Sequence, residues 1–155
     1  MKILIKEKNF NKALRLKTYF TYAGSLPFLA CALLLCADFH FIPILGSVEK
    51  IIGIYGLVIA SFVAGSHWGQ HLSFCNKWSY YLPISSNINT IFLCFSYLLF
   101  PFKYFLIVLI ISFLVLLFID RKMFYDGLIT KEYFHIRFLI TLVVVESLII
   151  SNIYS

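Results

Sequence analysis

The chain has 155 residues, of which 61% are hydrophobic and 13% charged, with a formal net charge of +6 and a mean hydropathy of +0.91. A soluble domain carries about twice that share of charged side chains, so a water-facing surface cannot be built from these residues. The basic residues have no polar domain to sit on, which excludes nucleic acid as the partner and leaves the lipid bilayer.

The apolar residues fall in blocks of about 18–21, the length a helix needs to cross a hydrocarbon core of about 30 Å. The alternating segments of an outer-membrane barrel are missing. The expected fold is all-α, a polytopic bundle of five transmembrane helices at 18–155 behind a basic tail at 1–17.

The tail carries Lys2, Lys6, Lys8, Lys12, Arg15 and Lys17 against Glu7. It reads as a cytoplasmic segment held to anionic headgroups. A secretory signal peptide is not expected, because the apolar run continues past Ala30-Cys31-Ala32 through Leu35 to Ala37. The first span is placed at 18–37. Pro27 removes a backbone donor and displaces the carbonyl of Ala23, and Gly24 is next to it, so this span should bend there.

A loop from Asp38 to Lys50 leads to a second span at 51–70. Gly56, Ala60 and Ala64 recur every four residues along one stripe, and Ser61, Gly65 and Gly69 along another. Such small-residue ridges let backbones approach closely in lipid, which makes this span the expected hub. It ends in Gly65-Ser66-His67-Trp68-Gly69-Gln70-His71, with Trp68 expected as an interface anchor or a packing residue. The third span, at 80–100, follows Lys77. Trp78, Tyr80 and Tyr81 form an expected aromatic belt, Ser79 is the expected N-cap, and Ser85, Ser86, Asn87 and Asn89 make one half polar.

The fourth span, at 102–119, is apolar all round. Asp126-Gly127 supplies a helix stop, and Thr130 a start with Glu132 in the first turn, ahead of a fifth span at 133–154. Lys and Arg gather in the tail, at Lys77, and around Arg121, Lys122, Lys131 and Arg137, with only Lys50 and Lys103 elsewhere. That places the N-terminus in the cytoplasm and the C-terminus outside. Cys31, Cys36, Cys75 and Cys94 form no C-x-x-C pair and read as small buried hydrophobes.

Charges within spans cost at least roughly 2.5–3.5 kcal/mol at the bilayer centre, so each needs a partner or a cavity. Asp120 and Arg137 both lie about six residues, or about 9 Å, from the tip of the last hairpin, which predicts an ion pair. The same counting about Asn76 and Lys77 puts His67 level with Asn87 and predicts a hydrogen bond. His67 and His71 share a helix face, but no H-E-x-x-H motif accompanies them, so no metal site is expected. Glu146 sits near the middle of the fifth span. It reads as a neutral carboxyl bonded to a neighbouring helix, or as a proton-relay group.

Tyr22-Ala23-Gly24, Pro27-Phe28, Tyr55, Ile59, Ser61-Phe62, Gly65 and Trp68-Gly69, with Asp120, Tyr133, Arg137 and Thr141, resemble the domain of unknown function 3429 family. That family includes the transmembrane protein 69 group, and the resemblance covers roughly 19–150. It implies five short-looped helices in a bacterial inner membrane or, alternatively, a mitochondrial one. No activity travels with it, so it transfers no catalytic residue. The basic tail and Glu146 lie outside its pattern.

Three functions are open at this point. The first is a non-enzymatic scaffold or assembly protein with a membrane-protein partner. The second is a small carrier or ligand-binding protein whose inward-facing polar pocket is built from His67, Asn87, Asp120, Arg137 and Glu146. The third, ranked last, is a lipid- or quinone-directed enzyme using His67 and Glu146 as acid and base. The sequence names no cofactor and no oligomeric state.

Overall fold

The computed structural model describes residues 19–155, so the basic tail at 1–17 and the start of the first span lie outside the described residues. Among the described residues, five helices are long and apolar enough to cross a membrane. In chain order they are α1 (Leu26–Cys36), extended by a helical turn at 19–23, then α2 (Val48–Gln70), α3 (Trp78–Leu99), α4 (Phe102–Tyr125) and α5 (Lys131–Tyr154). Helices α1, α2, α4 and α5 form a ring, each packed on its neighbours, and α3 lies outside it against α2 and α4. The core of Phe28, Leu35, Ile52, Ala60, Leu106 and Leu109 fills the ring.

The expected bend occurs. The first span is interrupted at Gly24-Ser25, and helix resumes at Leu26 with Pro27 in its opening turn. A break in lipid leaves carbonyls that must find donors. Ser25 Oγ donates to the Tyr22 carbonyl at 2.8 Å, and Tyr55 Oη, on α2, donates to the Gly24 carbonyl at 3.0 Å. The break is thus fastened to the neighbouring helix, a role for Tyr55 that spacing alone does not reveal.

Of the two small-residue ridges on α2, one packs. Gly56, Ala60 and Ala64 are buried, and a Cβ at Gly56 would stand 2.7 Å from Leu109 Cδ1. Ser61, Gly65 and Gly69 do not form a contact ridge: a Cβ at Gly65 or Gly69 would meet nothing within 4 Å, and both face outward. At about 100° per residue the second stripe starts about 140° round the helix from the first, so one face cannot hold both. Helix α2 still packs against α1, α3 and α4.

On α4 the buried positions Phe105, Leu109, Ser112, Leu116, Asp120 and Met123 make a stripe at three- and four-residue spacing. A sequence apolar all round hides such a stripe. The helix runs on to Tyr125, and Gly127, at φ +72°, closes it: its N–H donates to the Phe124 carbonyl and that of Leu128 to the Met123 carbonyl. Thr130 Oγ1 then accepts from the Tyr133 N–H and starts α5.

Three local expectations need correction. Ser79 does not cap α3: the N-cap position is Lys77, which makes no side-chain cap, and the Trp78 N–H is met by Asn76 Oδ1. Trp78 is buried rather than set in a belt, its ring N–H donating to Asp126 Oδ2 at 2.6 Å, while Tyr80 and Tyr81 are exposed. Only Cys31 is a buried thiol; Cys36, Cys75 and Cys94 are exposed on the outside of the bundle. Gaps between helices, not hydrophobicity, decide which small residues go inside.

The loop after α1 folds into a two-stranded hairpin, β1 (Phe41–Ile42) and β2 (Gly46–Ser47). His40 fastens it, with Nδ1 2.8 Å from Glu49 Oε1 and Nε2 3.2 Å from Asp38 Oδ1. The bond to Glu49, then that to Asp38, raises the imidazole pKa above its ordinary 6.5. A raised folded value means that these contacts stabilise the hairpin fully below about pH 6.5 and fade as pH rises through the folded value.

Two measurements check this layout. Gly56→Val should lower unfolding stability in detergent by about 1–3 kcal/mol through overpacking against Leu109. Gly65→Ala should be neutral or gain up to about 1 kcal/mol in helix propensity; equal losses at both positions would contradict the assigned faces. In an NMR titration the His40 ring should titrate above 6.5, and Glu49→Gln should move it down. A ring unaffected by Glu49→Gln would show that the contact does not form.

Candidate functional site

Asp120 is fully buried, and two helices supply its donors. His67 Nε2 on α2 lies 2.8 Å from Oδ1, and Arg137 Nε on α5 lies 2.9 Å from Oδ2. His67 is 1% and Arg137 7% exposed. The stripe along α4 that carries Leu109 and Leu116 into the core also carries Asp120, so the carboxylate enters the ring by helical period. The counted heights of Asp120 and Arg137 match the observed pair. With water excluded, each ion would be costly alone, and the charge-assisted bonds offset that cost.

Beside this brace lies a cleft of about 340 Å³ between the start of the first span, α2 and α5, with Phe113 of α4 at its back. Its walls are mainly apolar, with Ile59, Phe62, Val63, Ile140 and Val144 prominent, and Thr21, Ser66, Gln70, Tyr133 and Thr141 add polar groups. Arg137 also lines it. The guanidinium spends Nε on Asp120, while Nη2 is buried with no hydrogen-bond partner among the described residues. His67 Nδ1 is likewise buried and unpartnered. Gly24, at the break in the first span, forms part of the lining, so the bend shapes the cleft.

The other polar candidates do not converge here. Asn87 faces outward and does not meet His67, whose partner is Asp120. A count of heights carries no information about the angle around the axis. On α3 the residue that does reach a neighbour is Asn89, whose Oδ1 accepts from Ser112 Oγ at 2.9 Å, two positions and about 200° further round. Glu146 is exposed on the outward face of α5 with Leu142 and Ile149, bonded to no serine, asparagine or histidine. Trp68 is 46% exposed and lies edge-on to His71, as an interface anchor would.

These placements bear on chemistry. General acid–base work needs both groups within reach of one substrate atom. His67 inside the ring and Glu146 outside it are not so placed. Among the described residues no three His, Cys, Asp or Glu side chains gather where a metal ion could be held. What the arrangement offers is a rigid, paired charge whose guanidinium retains hydrogen-bonding capacity at the wall of an apolar cleft.

Among the described residues five apolar spans, three of them tied by a buried ionic brace, define a polytopic, all-α membrane-type bundle. The chain belongs to the DUF3429 family, proteins of unknown function, whose family model matches residues 14–153. No curated protein and no solved structure matches it significantly. Of the residues that carry the family resemblance, Gly24, Ile59, Phe62, Tyr133, Arg137 and Thr141 line the cleft.

Removing the carboxylate strands Arg137. Asp120→Ala should cost about 3–5 kcal/mol of unfolding free energy, because an uncompensated buried charge remains. A loss below about 1 kcal/mol in thermal or denaturant unfolding would show that the pair is solvated and surface-like.

Proposed function

We propose that the protein is a non-enzymatic, multi-pass protein of a bacterial inner membrane that holds an amphipathic molecule in the cleft beside Arg137. The N-terminus is cytoplasmic and the C-terminus outside, on the strength of where Lys and Arg gather, which puts the cleft in the cytoplasmic half. The observation that carries this reading is Arg137 itself. It is 7% exposed, lines an apolar cleft, and keeps Nη2 without a partner. A buried donor left unpaired costs about 1–3 kcal/mol, which a bound acceptor would recover. The cleft volume of about 340 Å³ falls in the lower range of small-molecule sites.

A scaffold role is the second reading, and Glu146 favours it. A carboxyl on the outward face of α5 lies at membrane depth among apolar side chains, where a partner helix would relieve its cost.

Native mass spectrometry of the full chain, purified in mild detergent, separates the two. The cleft reading expects a retained small molecule that is lost in Ile59→Trp and kept in Glu146→Leu, with thermal unfolding of both near wild type. A preparation without a bound molecule, together with a protein complex that Glu146→Leu dissociates, would replace it with the scaffold reading.

A further inference from the structure

The cleft beside the brace also constrains the chemistry of its occupant. Asp120 and Arg137 carry opposite charges 2.9 Å apart. His67 shares its Nε2 with Asp120, and its Nδ1 has no partner. The Asp120–Arg137 ion pair is formally uncharged.

A negatively charged head against Arg137 would bring the buried ion pair to a net charge of −1, at a desolvation cost of several kcal/mol. A cationic head would face a guanidinium, which has donors and no acceptor. An uncharged acceptor adds a hydrogen bond and no net charge. A carbonyl suits the site better than a hydroxyl, because it brings no further donor to be satisfied.

The walls set the rest of the molecule. Ile59, Phe113, Ile140 and Val144 are aliphatic or aromatic. Phe20 and Phe62, at 69% and 73% exposed, line the same cleft on the outside of the bundle. A cleft open sideways to lipid admits a tail that continues into the bilayer, while the head is drawn to the Arg137 guanidinium.

We propose that the occupant is an uncharged carbonyl compound on an aliphatic tail, its oxygen accepting a hydrogen bond from the Arg137 guanidinium. This rests on the reading of the cleft as a binding site. A prenylated or alkylated quinone and a fatty-acyl ester share this chemistry, and binding data tell them apart.

The test uses the full chain in non-ionic detergent at neutral pH. Equilibrium binding is measured for decylubiquinone and methyl decanoate as uncharged probes, and for decanoate and octyl phosphate as anionic ones. At least one uncharged probe should bind about tenfold or more tighter than either anion, and the stronger of the two identifies the head. Ile59→Trp, shown to be folded by its unfolding temperature, should weaken that binding by about tenfold or more. Arg137→Lys, which keeps a cation for Asp120 but loses the guanidinium fork, should weaken it as well.

Tighter binding of the anions would overturn the carbonyl assignment and leave the cleft as a site for another class. Binding of no probe, while the purified protein still carries a molecule that Ile59→Trp expels, would do the same. Uncharged-probe binding that Ile59→Trp leaves intact would also overturn it. A protein that carries nothing and binds none of the four would sink the binding reading itself.

Discussion

A carboxylate inside a bilayer-spanning bundle must find its donors within the protein, since neither lipid nor water supplies them at that depth. Asp120 is that carboxylate, and its two oxygens fix how three helices stand. One draws in His67 from α2, the other Arg137 from α5, and α4 carries the acid between them. Lipid gives apolar helices little reason to prefer one azimuth over another, whereas two hydrogen bonds of 2.8 and 2.9 Å allow only one. The brace therefore sets the rotation of α2, and through it which small residues face inward. Gly56 meets Leu109 and Phe28, and Gly65 meets nothing.

The same rotation produces the cleft. The first span cannot run straight past α2, because Pro27 forbids the regular hydrogen bond and Gly24-Ser25 opens instead. Tyr55 pins the opened carbonyl. The break sits beside Arg137, so the irregular backbone and the incompletely paired guanidinium share one concavity. Each is tolerated in the core for a local reason, and together they form the part of the bundle best suited to recognise a ligand.

Much of the fold is legible in the sequence because it depends on one-dimensional quantities. Span number follows from block length, the helix stop at Asp126-Gly127 and the start at Thr130 follow from capping chemistry, and the level of Asp120 against Arg137 follows from rise per residue. What depends on angle is not legible. Asn87 and Asn89 look alike in the chain, yet only Asn89 reaches a neighbouring helix. Glu146 reads as buried from its flanks of Val and Ile, yet α5 turns it outward and gives the inward positions to Arg137, Thr141, Val144 and Ser147. His67 pairs with Asp120 across non-consecutive helices, a contact that counting residues from a single hairpin tip cannot find.

The most direct measurement of what Asp120 does is a triple-mutant cycle on His67, Asp120 and Arg137, read by reversible unfolding in detergent or bicelles. If one carboxylate ties the three helices, each pair that includes Asp120 should show a coupling of about 0.5–3 kcal/mol. The coupling between His67 and Arg137 should vanish once Asp120 is replaced. Simple additivity at all three positions would contradict the brace, and with it the assigned faces of α2 and the cleft they enclose.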